Sequence, residues 1–222
     1  MTASIDSALE GRLRARLVEG LKTLEIAVSP YQVDHLVALV VLLHKWNRAY
    51  NLTAVRDPLE MVSRHLLDSA AVLPWVEGPR ILDVGAGPGL PGLVLAILRP
   101  DLDISLLDSN GKKVRFQRQA VMELGLTRVT PIQARVESFA PPAGGYDQLI
   151  SRAFASLEDF IGMTRSLLAP GGQWLAMKGP AVDGELERLD DDIRVLSRHP
   201  LRVPFADGGR ELVMLEPDAG DR

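Results

Sequence analysis

The segment RILDVGAGPGLPGLVLA, residues 80–96, determines the fold class of this chain. It opens with a short apolar run of strand character, continues with four glycines within eight residues, and ends in a second apolar run. A strand, a glycine-rich turn and a helix in this order form the first unit of an α/β fold that binds a ligand against bare backbone. The identity of that ligand is the first functional question.

The glycines fit two patterns. Gly87, Gly89 and Gly92 match G-x-G-x-x-G, the dinucleotide fingerprint, which indicates NAD and hydride transfer. The pattern D-x-G-x-G-x-G, which begins at Asp83, is typical of S-adenosylmethionine methyltransferases and indicates methyl transfer. A tight strand–helix turn without any ligand is a third possibility.

Strands and helices alternate from this segment towards the C-terminus. The predicted strands are RILDVG, DISLLDS, RVTPIQAR, YDQLISRAF, QWLAMKG and ELVMLEP, and the predicted helices are LPGLVLAILRP, KKVRFQRQAVMELG, LEDFIGMTRSLLAPGG and GELERLDDDIRVLS. This alternation predicts a parallel sheet with helices on both faces. The late strand ELVMLEP fits the extra final strand of methyltransferase sheets, so we expect an α/β, Rossmann-like class I S-adenosylmethionine-dependent methyltransferase fold.

Towards the N-terminus the chain has helical patterns only. Leucines recur every four residues from Leu9 to Leu21, and Ser29–Pro30 and Asp57–Pro58 are each typical of a capped helix start. The predicted domains are a helical extension over 1–75 and a methyltransferase domain over 76–217, followed by a disordered tail over 218–222.

Composition excludes several classes of protein. The chain of 222 residues has no cysteine, which excludes disulfides and thiolate chemistry, and its four histidines show no HExxH spacing, so we expect no metal site. A net charge of −4 argues against a protein coated in basic residues. The N-terminus lacks the pattern of a secretory signal and no apolar run is long enough to span a bilayer, so we expect a cytoplasmic protein without a membrane partner.

Three features favour the methyl donor over NAD. Asp108 ends the second strand about 20 residues beyond the glycines, where an acid can accept both ribose hydroxyls, although this position suits NAD as well. Pro88 and Pro91 remove two N–H groups that a pyrophosphate would use, and they displace the helix start. The third feature is the late final strand.

Six segments carry a more specific resemblance. HLLDSAAV, DVGAGPGLPG, LLDSNGKKVRF, ARVESF, ISRAFASL and LAMKG, in this order and spacing, resemble the RsmG (GidB) family, over residues 47 to 178. Members of this family are bacterial methyltransferases that methylate a guanine of 16S ribosomal RNA at N7, and in the family this is guanine 527 of the 530 loop. The resemblance implies S-adenosylmethionine as cofactor, 16S rRNA or the small ribosomal subunit as partner, and a monomer.

The resemblance implies a set of cofactor-binding residues. Those it implies are Gly85 and Leu90 of the loop, Val136, Glu137 and Arg152; the glycine pattern adds Gly87 and Gly89, and Asp108 is assigned independently of the family as the ribose acceptor. Three of them have a structural alternative: Val136 as core, Asp108 as the N-cap of the next helix, and Arg152 in an ion pair with a neighbouring acid. Asp83 is expected to support the loop amides.

The residues that would contact the methyl acceptor are also predicted, from the resemblance and from their charge. Arg152, Arg135 and Lys178 are predicted at the catalytic site, and Asn51 and His65 near the acceptor pocket, although His65 can equally be a structural group. The RNA-binding residues further include four cations at one helix start, namely Lys112, Lys113, Arg115 and Arg118, which are otherwise a solvated face. Trp46 and Tyr50 could stack a base, but their helical spacing favours the core.

Two other functions remain open from the sequence. One is an NAD-dependent oxidoreductase that uses the same loop. The other is a non-catalytic RNA-binding or assembly factor with a vestigial pocket, against which the intact loop and Asp108 count.

Overall fold

The structure is a computed structural model that describes residues 5–152, 154, 156–180 and 182–218. Positions 219–222 of the predicted tail lie outside the described residues, and so does position 153, within the strand predicted over YDQLISRAF.

The three predicted N-terminal helices are confirmed. Helix α1 spans Ser7–Thr23 and α2 spans Pro30–Tyr50, which starts with a capping box between Ser29 and Gln32. The third helix consists of α3 at Pro58–Met61 and α4 at Asp68–Ala70, joined by a π-helical stretch at Val62–Leu67. Such wide turns are rare and often lie at functional sites.

Seven strands form one mixed sheet with the order β3-β2-β1-β4-β5-β7-β6. Strands β1 to β5 pair with one another in parallel, whereas β7 is antiparallel to β5 and to β6. Their bounds are β1 Arg80–Val84, β2 Asp103–Asp108, β3 Val129–Gln133, β4 Tyr146–Ser151, β5 Leu168–Lys178, β6 Ile193–Leu201 and β7 Arg210–Pro217.

Four helices connect the strands, and two predictions about them are wrong. The helices are α5 Gly92–Leu98, α6 Gly111–Glu123, α7 Leu157–Thr164 and α8 Asp183–Leu186. The helix predicted over LEDFIGMTRSLLAPGG ends at Thr164, and β5 already begins at Leu168. The helix predicted over GELERLDDDIRVLS is only the short α8, because residues 193–201 form the edge strand β6. The apolar spacing of these residues is typical of a helix, but they form a strand because they pair with β7. A local sequence pattern does not show this long-range pairing.

Apolar residues lie on both sides of the sheet. One core joins a sheet face to the N-terminal helices, and it includes Leu13, Leu36 and Leu106. The other core covers the opposite face with Leu82, Leu149 and Trp174 packed against α7 residues. The N-terminal helices therefore share their core with the sheet.

Candidate active site

The sheet order places a switch point at the carboxyl end of β1. Strand β1 pairs with β2 on one side and with β4 on the other. In an α/β sheet this is the edge where ligands bind. The residues that follow these strands, Gly85, Asp108 and Arg152, are therefore at the same edge.

The glycine loop presents open backbone at this edge. Gly85 has φ +68°, and an added Cβ would meet nothing within 4 Å. Gly87 has φ +58°, and its nearest neighbours would lie 4.0 Å from a Cβ. Helix α5 begins at Gly92, after both prolines of the loop; the start is displaced as predicted, but it lies two residues beyond the predicted start at Leu90. The loop therefore has room for a ligand at Gly85 and Gly87.

The other loop residues have packing roles. A Cβ on Gly92 would lie 2.3 Å from Leu106, and one on Gly89 would lie 2.5 Å from Leu93. Leu90 is buried in the core. Of the predicted loop contacts, Gly85 therefore lies nearest to the open cleft, whereas Gly89 and Leu90 support the turn from below.

Two buried carboxylates hold the loop. Asp108 accepts the N–H of Gly87 at 2.8 Å on one oxygen and the N–H of Asn110 at 2.8 Å on the other. It does not cap α6, because Asn110 is the N-cap. A carboxylate oxygen has more than one acceptor site, so Asp108 can still bind ribose hydroxyls.

Asp83 supports the loop, as predicted. Its Oδ2 accepts the N–H of Gly92 at 2.8 Å, while its Oδ1 is buried without a hydrogen-bond partner among the described residues. Burial raises the pKa of Asp83 to about 7, against the N–H of Gly92 and the charge of Arg152, which lower it. The Asp108 charge contributes a further rise.

A cleft of about 220 Å³ opens beside the loop; we call it the donor cleft. Its walls are the ends of β1 and β2 and the turn after β3, namely Val84, Gly85, Leu107, Asp108, Ser109, Ala134, Arg135, Val136, Glu137 and Phe154. Val136 is half-buried and packs against the second core, while Arg135 and Glu137 are exposed. The structure thus brings together five predicted site residues in one cleft.

A second cleft of about 270 Å³, the acceptor cleft, lies at the ends of β4 and β5. It is lined by Val55, Arg64, His65, Asp68, Arg152, Met177, Lys178, Gly179 and Arg210. Arg152 forms an ion pair with Asp68 at 3.1 Å, which is the structural alternative considered for it. Lys178 pairs with Glu185 at 2.7 Å.

His65 is a neutral, buried imidazole in the acceptor cleft. Its Nδ1 lies 3.0 Å from the Arg64 carbonyl, which can only accept, so Nδ1 carries the proton. Its Nε2 therefore accepts from the hydroxyl of Thr53 at 2.8 Å. Burial and the charge of Arg152 lower its pKa to about 4.

The basic cluster on α6 divides between two environments. Lys112, Arg115 and Arg118 are exposed. Lys113 is half-buried, and its Nζ lies 4.0 Å from the Cβ position of Gly87, against the glycine loop. Asn51 ends α2 with φ 51° and accepts from Arg56 at 2.8 Å.

The tryptophan near the end of α2 belongs to the core side of that helix. Trp46 packs on Phe116 with ring centroids 5.8 Å apart, and the ring of Tyr50 lies 5.2 Å from it. Trp46 thus contacts the core, as its spacing favours, whereas Tyr50 is partly exposed.

Three supporting residues have no signal that spacing alone would identify. Gln117 is fully buried and donates to the Gly87 carbonyl at 2.8 Å. Asn47 fixes the turn before α3 by donating to Val55 at 2.9 Å and accepting from Thr53 at 2.9 Å. Asp68 lies within the segment HLLDSAAV, and it also pairs with Arg210 at 3.5 Å. The contacts of Gln117 and Asp68 join parts of the chain that are distant in sequence, whereas those of Asn47 are local.

Within the described ranges, no group of three or more histidine or acidic side chains is arranged to hold a metal ion. None of the helices in the described part of the chain is long and apolar enough to cross a membrane.

The mixed seven-stranded sheet, the D-x-G-x-G-x-G loop after β1 and the acid at the end of β2 define a class I S-adenosylmethionine-dependent methyltransferase. The model of one family, GidB (rRNA small subunit methyltransferase G), matches residues 32–214. This chain belongs to that family.

Relatives and a solved structure agree with this assignment. The Ribosomal RNA small subunit methyltransferase G of Chromohalobacter salexigens is 59% identical over 201 residues, which are 90% of this chain and 96% of the relative. Its counterpart in Pseudomonas syringae pv. syringae is 51% identical over 91% of this chain and 94% of the relative. A SAM-dependent methyltransferase of Leishmania major has the same fold, with a TM-score of 0.58 at 19% identity over 90% of this chain and 91% of the other.

Proposed function

We propose that this protein transfers the methyl group of S-adenosylmethionine to N7 of a guanine in 16S rRNA of the small ribosomal subunit. The observation that supports it most directly is the adjacency of the two clefts. Lys178 of the acceptor cleft has its Nζ 3.4 Å from the carbonyl oxygen of Phe154, which lines the donor cleft, and Arg152 follows β4, the neighbour of β1 in the sheet. Family membership supports the same substrate class.

The residues of the donor cleft fit S-adenosylmethionine. Open backbone at Gly85 and Gly87 would accommodate the amino-acid end, and Asp108 would accept the ribose hydroxyls. Val136 and Glu137 stand where the adenine edge would lie, on the turn after β3. Lys113, against the loop, is placed to attract the donor carboxylate rather than RNA.

The acceptor cleft suits a reaction that needs no base. S-adenosylmethionine supplies an electrophilic methyl group on a sulfonium. Guanine N7 has a lone pair and no proton to lose, so a C–N bond forms, the S–CH₃ bond breaks, and positive charge moves from sulfur to the purine. Catalysis is then mainly positioning and exclusion of water.

The charges in the acceptor cleft agree with that requirement. A free cation against N7 would oppose the developing charge, but Arg152 is compensated by Asp68 and Lys178 by Glu185. His65 is neutral, with a pKa of about 4, and its Nε2 is engaged by Thr53. We therefore assign Arg152 and Lys178 to holding the base or its phosphate, and Arg135 to contacting the RNA from the exposed wall of the donor cleft.

The RNA would approach over the exposed cations. Lys112, Arg115 and Arg118 are exposed at the start of α6, on the helix that also holds the glycine loop. Phosphate contacts there would make binding depend on salt. Asn51 and His65 would lie on the acceptor side. A monomer in the cytoplasm, where the ribosome is found, fits this role.

The test uses small ribosomal subunits from cells that lack this protein. Incubation with the purified enzyme and S-adenosylmethionine, followed by digestion to nucleosides and mass spectrometry, is expected to yield 7-methylguanosine at one mapped position. A methyl group on an exocyclic amine or a ribose would contradict the N7 assignment. Heat with NAD but none with S-adenosylhomocysteine in calorimetry would overturn the choice of cofactor.

The His65→Gln variant tests the base-free mechanism. The single-turnover rate is expected to stay within about tenfold of wild type, because general-base catalysis typically contributes about 100-fold or more. The pH profile alone is not decisive here: a histidine with a pKa of about 4 stays neutral between about pH 6.5 and 8.5 whatever its role. A loss of 100-fold or more with intact donor binding would show that His65 acts as a base.

A further inference from the structure

A pocket of about 310 Å³ lies beside the acceptor cleft and has no part in the function argued so far. It shares Arg64, Asp68 and Arg210 with the acceptor cleft, so the pocket and the cleft adjoin. Helix α1 contributes Arg16 to its wall, and the loop between β6 and β7 contributes Phe205. We call it the Arg16 pocket.

Arg16 is a cation with unused hydrogen-bonding capacity. Its Nε is buried and has no hydrogen-bond partner among the described residues. Its guanidinium carbon lies 4.4 Å from the centroid of the Phe205 ring, a cation–π arrangement. A buried donor without a partner is costly, so a native structure that keeps one calls for a ligand or a functional reason.

Phe205 adopts a backbone conformation that its side chain disfavours. Its φ is +62°, in the left-handed region, and it still leaves 43% of its surface exposed. For a bulky residue this is an outlier, and such strain is concentrated at ligand-binding and active sites. The strained backbone holds a partly exposed aromatic ring against Arg16 in a pocket of mixed charge, where the ring gains little from burial.

The pocket also carries balancing charges. Arg64 pairs with Glu60 at 3.8 Å, and both side chains are more than half exposed, so this pair is weak. Asp207 lines the pocket too, and Asp68 is already shared by Arg152 and Arg210. Arg16 and Arg64 therefore have donors to spare, and both line this pocket.

We propose that the Arg16 pocket binds a nucleotide next to the methylated guanine, with Phe205 stacking on its base and Arg16 and Arg64 binding its phosphate. Aromatic rings and guanidinium groups are the usual partners of unpaired bases and their backbone in RNA. A guanine extended into the acceptor cleft leaves its neighbour unstacked, and this pocket adjoins that cleft. The inference rests on the proposed RNA substrate and assigns one more nucleotide of it.

The test measures binding of fluorescently labelled enzyme to unmethylated small ribosomal subunits at several salt concentrations, with S-adenosylhomocysteine present. Phe205→Leu is expected to weaken binding roughly tenfold, since stacking on one base contributes about that much, whereas Phe205→Tyr should keep it. Arg16→Gln should weaken binding and reduce the slope against log salt concentration by about one. Affinity for S-adenosylhomocysteine should be unchanged in all variants, which also shows that they are folded.

The matched control is Arg14→Gln, which removes a cation two positions away on the same helix whose partner is Asp34 at 2.6 Å. It should leave the affinity and the salt slope as in wild type. Wild-type affinity and slope in both Arg16→Gln and Phe205→Leu would overturn the nucleotide site while leaving the proposed function standing. If wild type neither binds nor methylates small subunits, the proposed function fails, and this inference fails with it.

Discussion

At the scale of single residues, the shifted pKa values of Asp83 and His65 make the free energy of unfolding change with pH in opposite directions. The pKa of Asp83 is raised to about 7, so between about pH 4 and 7 its folded form keeps a proton that the unfolded chain releases. The free energy of unfolding therefore falls as pH rises through that range. The pKa of His65 is lowered to about 4, so between about pH 4 and 6.5 the unfolded chain holds the extra proton and stability rises with pH.

We predict that the two effects largely cancel in wild type and appear in single variants. Asp83→Asn leaves the His65 term alone, so the free energy of unfolding should rise by roughly 3 kcal/mol from pH 4 to 6.5. His65→Gln leaves the Asp83 term alone, so it should fall by roughly 4 kcal/mol from pH 4 to 7. Urea denaturation across this range measures both, and slopes of the same sign in the two variants would contradict the argument.

At the scale of the strand–turn–helix element, the glycines of one motif perform different tasks. Gly92 lets α5 pack on β2, since a Cβ would lie 2.3 Å from Leu106, 3.0 Å from Asp83 and 3.2 Å from Ile104. Gly87 has space around it and a φ of +58°. Gly92 therefore packs in the core, whereas Gly87 has the open space that we propose the ligand occupies.

We predict that Gly92→Ala and Gly87→Ala separate stability from donor binding. Gly92→Ala should lower the free energy of unfolding by about 1–3 kcal/mol through overpacking. Gly87→Ala should cost only about 1 kcal/mol, from its left-handed backbone, yet weaken S-adenosylhomocysteine binding at least tenfold. Calorimetry and urea denaturation of both proteins provide the comparison, and unchanged donor affinity in Gly87→Ala would mean that the loop is only a turn.

The same element shows what the sequence could predict. The glycine loop, its displaced helix start and the support from Asp83 follow from local chemistry, because prolines and glycines act on their own backbone. Gln117 supports the loop and Asp68 pairs with Arg152 across long distances in sequence. The helix or strand spacing of apolar residues therefore does not predict these contacts. Strand β6 cannot be predicted from local sequence for the same reason, since it forms a strand by pairing with β7.

At the scale of the whole molecule, the N-terminal helices and the sheet share one core. Leu17 of α1 is fully buried in the cluster that also holds residues of β2 and α5. A domain boundary near residue 75 therefore separates segments of sequence that pack together. Loss of packing in α1 should reach the Arg16 pocket, because Arg16 is adjacent to Leu17 along the chain.

We predict that Leu17→Ala lowers the free energy of unfolding by about 2–5 kcal/mol, in one transition seen equally by tryptophan fluorescence and circular dichroism. The matched control is Val18→Ala, since Val18 is 44% exposed and its truncation should change stability by less than about 0.5 kcal/mol. Two separate transitions, with the sheet unaffected by Leu17→Ala, would show that the helical extension folds on its own.

The pairing of Asp68 with Arg152 and Arg210 also bears on how the protein is made. Asp68 precedes the whole sheet and Arg210 opens its last strand, so their ion pair closes only after every strand has left the ribosome. A nascent chain that has reached Phe154 already contains every residue that lines the donor cleft but still lacks Lys178 and Arg210 of the acceptor cleft. Because folding follows the order of synthesis, an unfinished copy could hold the donor without a place for its substrate. The acceptor cleft is therefore completed only near the end of translation.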